Sequence, residues 1–548
     1  MRRASSSARP DLTEPADLGR KRGTGAARTA RPEYVNLRPP CNTACPAGEN
    51  IQAWLALTQA GRHREAWLKI LEDNPLPAVH GRVCYHPCET SCNRSQLDQA
   101  VSIHAVERFL GDRALAEGWM PEAGAPSGRR VLIVGAGPSG LSAAYHLARL
   151  GHAVEIRDAG PLAGGMMRSG IPAYRLPRDV LDAEVQRIRR TGVTLTLNHR
   201  VEALEDEWSA GAFDAVFVAV GAHLSKRVDI PASDAARLLD ALSFLRAVDR
   251  GARPRLGRRV AIYGGGNTAM DAARTALRLG HEPLIVYRRD YAHMPALPFE
   301  ADEALEEGIR IHWLRSITAM DAGALRVEVM EIGADGRPRG TGTYETLEAD
   351  SLVLAVGQQA DTRFLAGVDG LAVQPDGTVD VDQRMMTGRP GLFAGGDMVP
   401  AERSVTVAVG HGKTAARHMD AWLRGRVYHK APVRGEATFD QLHLWFSRAV
   451  SRQTQARAPL AARRGGFGEV VQGLTEPEAL FEAKRCLSCG NCFECDACLG
   501  ACPERAITKL GPGLGYRFDY DRCTGCAVCF EQCPSHAIQM MPEPAGAP

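Results

Sequence analysis

Val131-Leu132-Ile133-Val134-Gly135-Ala136-Gly137-Pro138-Ser139-Gly140 decides the reading of this chain: a short apolar run predicts a buried strand, and a glycine-rich turn follows it directly. A helix is expected through Leu147 and Leu150, then a second strand, Ala153-Val154-Glu155-Ile156, ending near Asp158. Strand, glycine turn, helix and terminal acid stand at dinucleotide-fold spacing. The glycines let the backbone approach a pyrophosphate lying on the helix N-terminus, and the acid accepts ribose hydroxyls. Gly135, Gly137, Pro138, Ser139, Gly140 and Asp158 are therefore candidate cofactor-binding residues. A lone glycine fingerprint is weak; its strand–helix–strand setting gives it weight.

A second copy starts at Val260-Ala261-Ile262-Tyr263 and continues as Gly264-Gly265-Gly266-Asn267-Thr268-Ala269, with a helix through Met270 and Ala273. Its second strand, Leu284-Ile285-Val286-Tyr287, ends in Arg288-Arg289 instead of an acid. An acid there repels a 2′-phosphate, whereas a guanidinium pairs with it bidentately. Gly264, Gly266, Asn267, Thr268, Ala269, Arg288 and Arg289 are read as an NADPH site, although paired arginines are also ordinary surface residues. Two such units in one chain imply one flavin site and one nicotinamide site. Gly391-Leu392-Phe393-Ala394-Gly395-Gly396-Asp397 assigns FAD to the first, because a late Gly-Gly-Asp serves the flavin's ribityl and phosphate groups in two-dinucleotide flavoproteins. The competing reading is a plain capping Asp. Gly396, Asp397 and Thr406 join the FAD set, the last on a helix whose N-terminus would face the isoalloxazine; Gly221 and Gly357 are counted with the cofactor-binding residues. No acid or base is needed for hydride transfer between cofactors, so no catalytic side chain is nominated.

The chain has 15 cysteines in two dense groups. Cys492, Cys495, Cys498 and Cys502 read Cys-x2-Cys-x2-Cys-x3-Cys-Pro, and Cys523, Cys526, Cys529 and Cys533 repeat the pattern. Each run continues to an Ala-Ile pair, Ala506-Ile507 and Ala537-Ile538, so the segment is a tandem repeat. This is the bacterial ferredoxin spacing, in which the fourth Cys of one run ligates the other run's [4Fe–4S] cube. A zinc ribbon wants two Cys pairs at longer separation, and a duplicated three-in-seven spacing is poor disulfide geometry. The N-terminal group is Cys41, Cys45, Cys84, Cys88 and Cys92.

With 548 residues, 45% hydrophobic and 24% charged, the chain fits three or four domains of ordinary globular composition. A net charge of +2 gives no argument for nucleic acid or an anionic membrane. No apolar run approaches the length of a spanning helix, and many thiols at cluster spacing imply a reducing, cytoplasmic setting. Residues 1–33, rich in Ala, Arg, Ser and Gly, are expected to form a disordered tail.

Over residues 40–425 the chain resembles the small (β) subunit of NADPH-dependent glutamate synthase and the N-terminal half of dihydropyrimidine dehydrogenase. The resemblance rests on the cysteine groups, Gly-Ala-Gly-Pro-Ser-Gly, Gly164-Gly165-Met166-Met167 with Gly170-Ile171-Pro172, Gly-Gly-Gly-Asn-Thr-Ala-Met-Asp, Tyr-Arg-Arg and Gly-Gly-Asp. It implies an α/β multidomain fold. A helical iron–sulfur cap (34–125) comes first, then a FAD domain split into 126–255 and 359–425 around an inserted NADPH domain (256–358). A linker (426–480) and an α+β ferredoxin-like module (481–548) follow. It adds Gly164, Gly165 and Met166 to the flavin set and, as a non-cysteine cluster ligand beyond Cys92, Glu107.

The family's Cys-x-x-Cys pair upstream of Cys41 is missing here, and Cys486 and Cys489, in Arg485-Cys486-Leu487-Ser488-Cys489-Gly490, resemble it in wording. They either complete an N-terminal cube or are spare thiols. Counting them, fifteen Cys and Glu107 make sixteen ligands, enough for four cubes. The implied activity is an NADPH-dependent flavin and iron–sulfur oxidoreductase subunit. It would pass electrons between NADPH, FAD and [4Fe–4S] clusters to or from a ferredoxin or a partner catalytic subunit, such as a 2-oxoacid:ferredoxin oxidoreductase. The alternative is the glutamate synthase small subunit itself, which normally lacks the C-terminal ferredoxin repeat.

Overall fold

The computed structural model describes residues 28–543 except 227, 229, 232–236, 322, 431, 433, 434 and 446. The chain divides into two compact units. One comprises residues 40–432 and 449–486; the other comprises residues 1–39, 433–448 and 487–548.

The larger unit begins with short helices, among them Ile51–Gln59, His63–Leu71, Pro77–Val83 and Ile103–Ala116. They bury Trp54, Leu55, Ile70, Val106 and Leu110 in a core that includes the Cys88 thiol. Two parallel five-stranded sheets follow. The first runs, edge to edge, Leu392–Ala394, Ala215–Val218, Arg130–Val134, Ala153–Arg157 and Thr194–Thr196. Its outer strand comes from far along the chain, pairing Leu392 with Val216 in register. The first domain is thus split around the second. Its strands Arg130–Val134, Ala215–Val218 and Leu392–Ala394 are apolar on both faces, as a sheet covered by helices on both sides requires.

The second sheet runs Arg310–Trp313, Glu282–Tyr287, Arg259–Tyr263, Ser351–Leu354 and Arg237–Asp240. Arg237–Asp240 pairs in parallel with Ser351–Leu354, and Phe244 and Leu245 of the helix Ala241–Asp249 enter the core under this sheet. The inserted domain therefore starts before residue 256, the boundary expected from sequence. A three-stranded antiparallel sheet, Arg315–Asp321, Ala324–Ile332 and Pro338–Glu348, is appended to it. The two crossings between domains are tied by a bridge, Leu224–Ser225 against Gln358–Gln359. Gly221 (φ +67) and Gly357 (φ +113) sit beside it in left-handed conformations that other residues rarely adopt.

The stretch expected as a linker is not one piece. Residues 433–448 belong to the smaller unit and 449–486 to the larger. In the larger unit Val470 N donates to Tyr174 O (2.9 Å), and the helix Glu476–Arg485 buries Ala479 and Ala483 in the cap core. Its Thr475–Glu478 capping box marks where that helix begins.

The smaller unit holds two antiparallel pairs, Ile507–Gly511 with Gly515–Phe518 and Ala30–Tyr34 with Ile538–Pro542. Residues 30–33, expected in the disordered tail, are thus strand; residues 1–27 lie outside the described residues. Among the described residues no helix is long and apolar enough to cross a membrane.

A buried ion network fastens the inserted domain to the first. Arg175 of the Gly-Ile-Pro-Ala-Tyr-Arg stretch bonds Asp271 Oδ2 (2.8 Å) and Glu300. Arg274 and Arg278 both hold Glu307 (2.7 Å each), and Arg278 lies over the Tyr174 ring at 3.8 Å. Burial pushes the Glu307 carboxyl up, but the bonds from Arg278 and Arg274 outweigh it and hold the group below its ordinary range. This stabilisation is complete above the unfolded-state pKa and lost as pH falls through the folded-state value. Removing one partner of a buried pair costs about 3–5 kcal/mol. Arg274→Met is therefore expected to lower the urea unfolding midpoint sharply at pH 7 and progressively less as pH falls through the lowered folded-state value of Glu307, where the carboxylates it leaves behind become protonated.

Candidate functional site

The first glycine turn closes on itself. A Cβ on Gly140 would lie 1.9 Å from Gly135 O, and one on Gly135 (φ +108) 2.4 Å from Ala219 O. Gly137 and Gly165 (φ +52) face each other, a Gly165 Cβ reaching Gly137 Cα at 2.8 Å, so Gly164-Gly165-Met166 lies against the turn. The helix Pro138–Arg149 starts with Pro at its first turn, and no side chain caps Gly137. Its free N–H groups form an anion site, and Ser139 Oγ is buried there with no protein partner. Asp158 does more than sequence reading assigned to it: its carboxylate accepts from Ala136 N and Gly160 N (both 2.7 Å), which fixes the turn. Two such bonds leave lone pairs for a ribose.

Gly395 and Gly396 cross over this helix start, and a Gly396 Cβ would meet Ser139 Cβ at 3.1 Å. Asp397 beside them is pushed up by burial, with Arg403 opposing. The helix Val405–Leu423, capped by the Ser404 side chain to Val407 N, places buried Thr406 in its first turn.

At the second site a Cβ on Gly264 would meet Ala355 O (2.4 Å) and one on Gly265 the Tyr287 ring (2.4 Å), while Gly266 faces open space. The helix Asn267–Arg278 starts at Gly266, again without a side-chain cap. Thr268 and Ala269 lie in its first turn, where backbone N–H groups are available to a pyrophosphate. Arg288 is exposed just past the strand Glu282–Tyr287. Arg289 Nε is buried without a partner, a guanidinium ready for an anion. Asn267 departs from its expected role: its amide donates to Tyr85 Oη (2.8 Å) and its carbonyl accepts from Leu297 N (3.0 Å). Sequence reading missed Tyr85, which joins the cap to this helix start.

In the cap, Cys45, Cys84, Cys88 and Glu107 act on one another. Cys84 and Glu107 contribute to raising Cys45, and Cys84, Cys45 and Cys41 contribute to raising Cys88, in each case after burial as the main cause. Burial and then Glu107 push Cys84 up to about 12; the nearby Thr406 side chain opposes this. Glu107 is buried, raised first by burial and then by Glu49, and accepts from Asn74 Nδ2 (2.7 Å). Buried thiols and a buried acid with no resident cation are costly; a bound metal reverses that balance. These residues fit a cluster. Cys41, Cys92 and Cys486 pack on the same apolar core as Cys88, and Arg94 Nη1 donates to Arg485 O (2.7 Å). Cys489 falls in the smaller unit.

That unit contains two cavities. Cys523, Cys526, Cys529 and Cys502 line one, with Pro32 and Phe518. Cys492, Cys495, Cys498 and Cys533 line the other, with Tyr34 and Tyr516. Three sulfurs from one run and one from its repeat converge on each, a donor set that suits a [4Fe–4S] cube.

The pyridine nucleotide-disulphide oxidoreductase family matches residues 129–412. Dihydropyrimidine dehydrogenase domain II, 4Fe-4S cluster, matches residues 26–119, and the 4Fe-4S binding domain residues 516–539. The chain is 37% identical over 531 residues to the NADP(+)-dependent formate dehydrogenase subunit beta of Moorella thermoacetica, which spans 86% of this chain and 74% of that one. It is 33% identical to the NADPH-Fe(3+) oxidoreductase subunit beta of Geobacter sulfurreducens (82% and 75%). It is also 33% identical to the glutamate synthase [NADPH] small chain of Escherichia coli (70% and 89%).

The helix Val405–Leu423 reaches both the first dinucleotide helix and the cap through glycines. A Cβ on Gly412 would lie 2.3 Å from Ser139 O. Overpacking of this kind costs typically about 1–3 kcal/mol, here at the turn that would hold the flavin. Gly412→Ala is expected to lower the thermal midpoint and to release flavin on gel filtration, whereas Gly465→Ala, where the added carbon meets nothing and the backbone is not left-handed, retains it.

Proposed function

Because the chain belongs to the pyridine nucleotide-disulphide oxidoreductase family, we propose that it is the NADPH-reacting, electron-distributing subunit of a larger redox complex. It is an FAD- and NADPH-dependent iron–sulfur oxidoreductase. The observation that carries the assignment is the close packing of the helix Val405–Leu423, whose Gly412 lies against Ser139 O of the first glycine turn and whose Gly410 lies against Pro46 O, next to Cys45 of the cap. It joins a flavin site to a cluster ligand by one helix.

When bound, FAD supplies the conversion of a two-electron hydride into single electrons. The chain's residues hold and separate the parts. Gly135, Gly137 and Gly140 admit a pyrophosphate at the first turn, with Asp158 on the ribose. Gly264 and Gly266 do so at the second, where Arg288 and Arg289 take the 2′-phosphate. Cys45, Cys84, Cys88 and Glu107 are the ligands of one cap cube. Cys41, Cys92 and Cys486 are assigned to the next. The two C-terminal cavities take the remaining cubes.

Several relatives are by name beta subunits, which supports a partner subunit carrying the substrate chemistry, with this chain delivering or accepting electrons. Fifteen cysteines, most of them at cluster spacing, suit a reducing, cytoplasmic setting.

Dye reduction with NADPH and NADH tests the coenzyme site. A charge-assisted hydrogen bond contributes about 1.5–3 kcal/mol, so replacing both Arg288 and Arg289 by Ala is expected to raise the KM for NADPH at least tenfold and leave that for NADH nearly unchanged. An unaltered NADPH preference places the phosphate elsewhere. Iron analysis tests the cap: four cubes hold about sixteen irons, and Cys486→Ser is expected to remove about four. Full iron in that variant makes Cys486 a spare thiol.

A further inference from the structure

The smaller unit is built from both ends of the chain. Ala30–Tyr34 pairs antiparallel with the last strand, Ala30 opposite Pro542 and Tyr34 opposite Ile538. Arg28 anchors it, with a two-pronged contact to Glu543 (2.7 and 2.8 Å) and a bond to Cys523 O (3.0 Å). Ala30 O comes so close to Gly525 that a Cβ there would lie 2.5 Å away. From this one strand Pro32 lines the cavity of Cys502, Cys523, Cys526 and Cys529, while Tyr34 lines that of Cys492, Cys495, Cys498 and Cys533.

The backbone treats the two cavities alike, as a tandem repeat should. Ala506 N donates to Cys502 Sγ (3.3 Å) and Ala537 N to Cys533 Sγ (3.2 Å). Gly525 N also donates to Cys523 Sγ (3.4 Å). The aromatic walls break the symmetry. Tyr34 and Phe518 stack at 5.1 Å, one ring for each cavity. Tyr34 Oη lies 3.8 Å from Cys498 Sγ, whereas Phe518 has no hydroxyl. Among the described residues no hydroxyl is seen to bond Cys502, Cys523, Cys526 or Cys529. A ligating thiolate has no proton to give, so the Tyr34 hydroxyl is the donor. A hydrogen bond to a cluster sulfur disperses its negative charge and favours the reduced state.

We propose that the N-terminal strand is part of the ferredoxin module and that Tyr34, as a positioning residue, makes its two clusters unequal, the one held by Cys492, Cys495, Cys498 and Cys533 having the higher potential. Electrons reaching the module then settle first at that cavity. This deepens the proposed function, resting on cubes in the two C-terminal cavities but not on those in the cap.

The test is potentiometric electron paramagnetic resonance of the full-length, anaerobically reconstituted protein, with dithionite supplying one electron per cluster. Tyr34→Phe keeps the ring and its stacking and loses only the donor. One midpoint is expected to move to more negative potential, with the others and the iron and sulfide content unchanged. Site-specific replacement of Tyr34 by 3-fluorotyrosine, whose more acidic hydroxyl donates more strongly, is expected to move the same midpoint the opposite way. Midpoints that coincide with wild type in the fluorotyrosine protein overturn the proposal, even if Tyr34→Phe loses iron. Absent cap clusters would appear instead as missing iron in the wild type, and would leave this comparison intact.

Discussion

Two glycines in the helix Val405–Leu423 set how closely three backbones meet. A Cβ at Gly410 would lie 2.2 Å from Pro46 O, and one at Gly412 2.3 Å from Ser139 O. Any larger residue pushes the helix off either the cap or the first dinucleotide helix. Ser142 Oγ, donating to Val409 O (2.8 Å), closes the same seam. Lys413, one residue on, is buried between Ala47 O and Asp73 Oδ1 (3.0 Å), so the contact is polar as well as tight. The placement of Gly395-Gly396 over Ser139 follows from this packing.

The cap is electrostatically expensive without a cation. Burial pushes Glu49 up to about 7, with Asp73 adding to it and Asn74 opposing. Asn74 donates both to Glu49 (3.0 Å) and to Glu107 (2.7 Å), and so holds two buried acids side by side. His80 Nε2 is buried there without a partner. Such a group of acids and thiols is stable only if a positive centre offsets the desolvation. Metal binding and cap folding are therefore one equilibrium. The cap core itself includes a cysteine and packs against four others.

Local patterns carried most of what could be read from the chain. The glycine turns, their flanking strands and the paired cysteine runs are short-range signals, each complete within about thirty residues. What escaped reading depends on distant partners. Arg237–Asp240 gains its identity from Ser351–Leu354, and nothing in its own four residues points there. Ala30–Tyr34 contains Arg31-Pro32-Glu33, which reads as loop; Pro is tolerated because the strand is paired on one side alone. Asn267 lies inside a glycine motif, yet its side chain is claimed by Tyr85 and Leu297. A motif specifies residue types but not which of them a neighbouring domain will occupy.

Pairing the first described strand with the last has a consequence for the order of events. Closing a flexible loop costs about (3/2)RT ln n, so each doubling of length adds only about 0.6 kcal/mol. Thermodynamically, a strand recruited from several hundred residues upstream therefore costs about 3–4 kcal/mol more than one joined by a short hairpin loop. Kinetically it differs, because both partners must exist before the pairing forms. Tyr34 belongs to the core that buries Cys498, Cys529 and Cys533. Until Ile538–Pro542 has been made, that core lacks one sheet and a wall of each cavity. The last cluster sites to be completed are thus the two whose spacing is most legible in the sequence, and their closure requires both Ala30–Tyr34 and Ile538–Pro542.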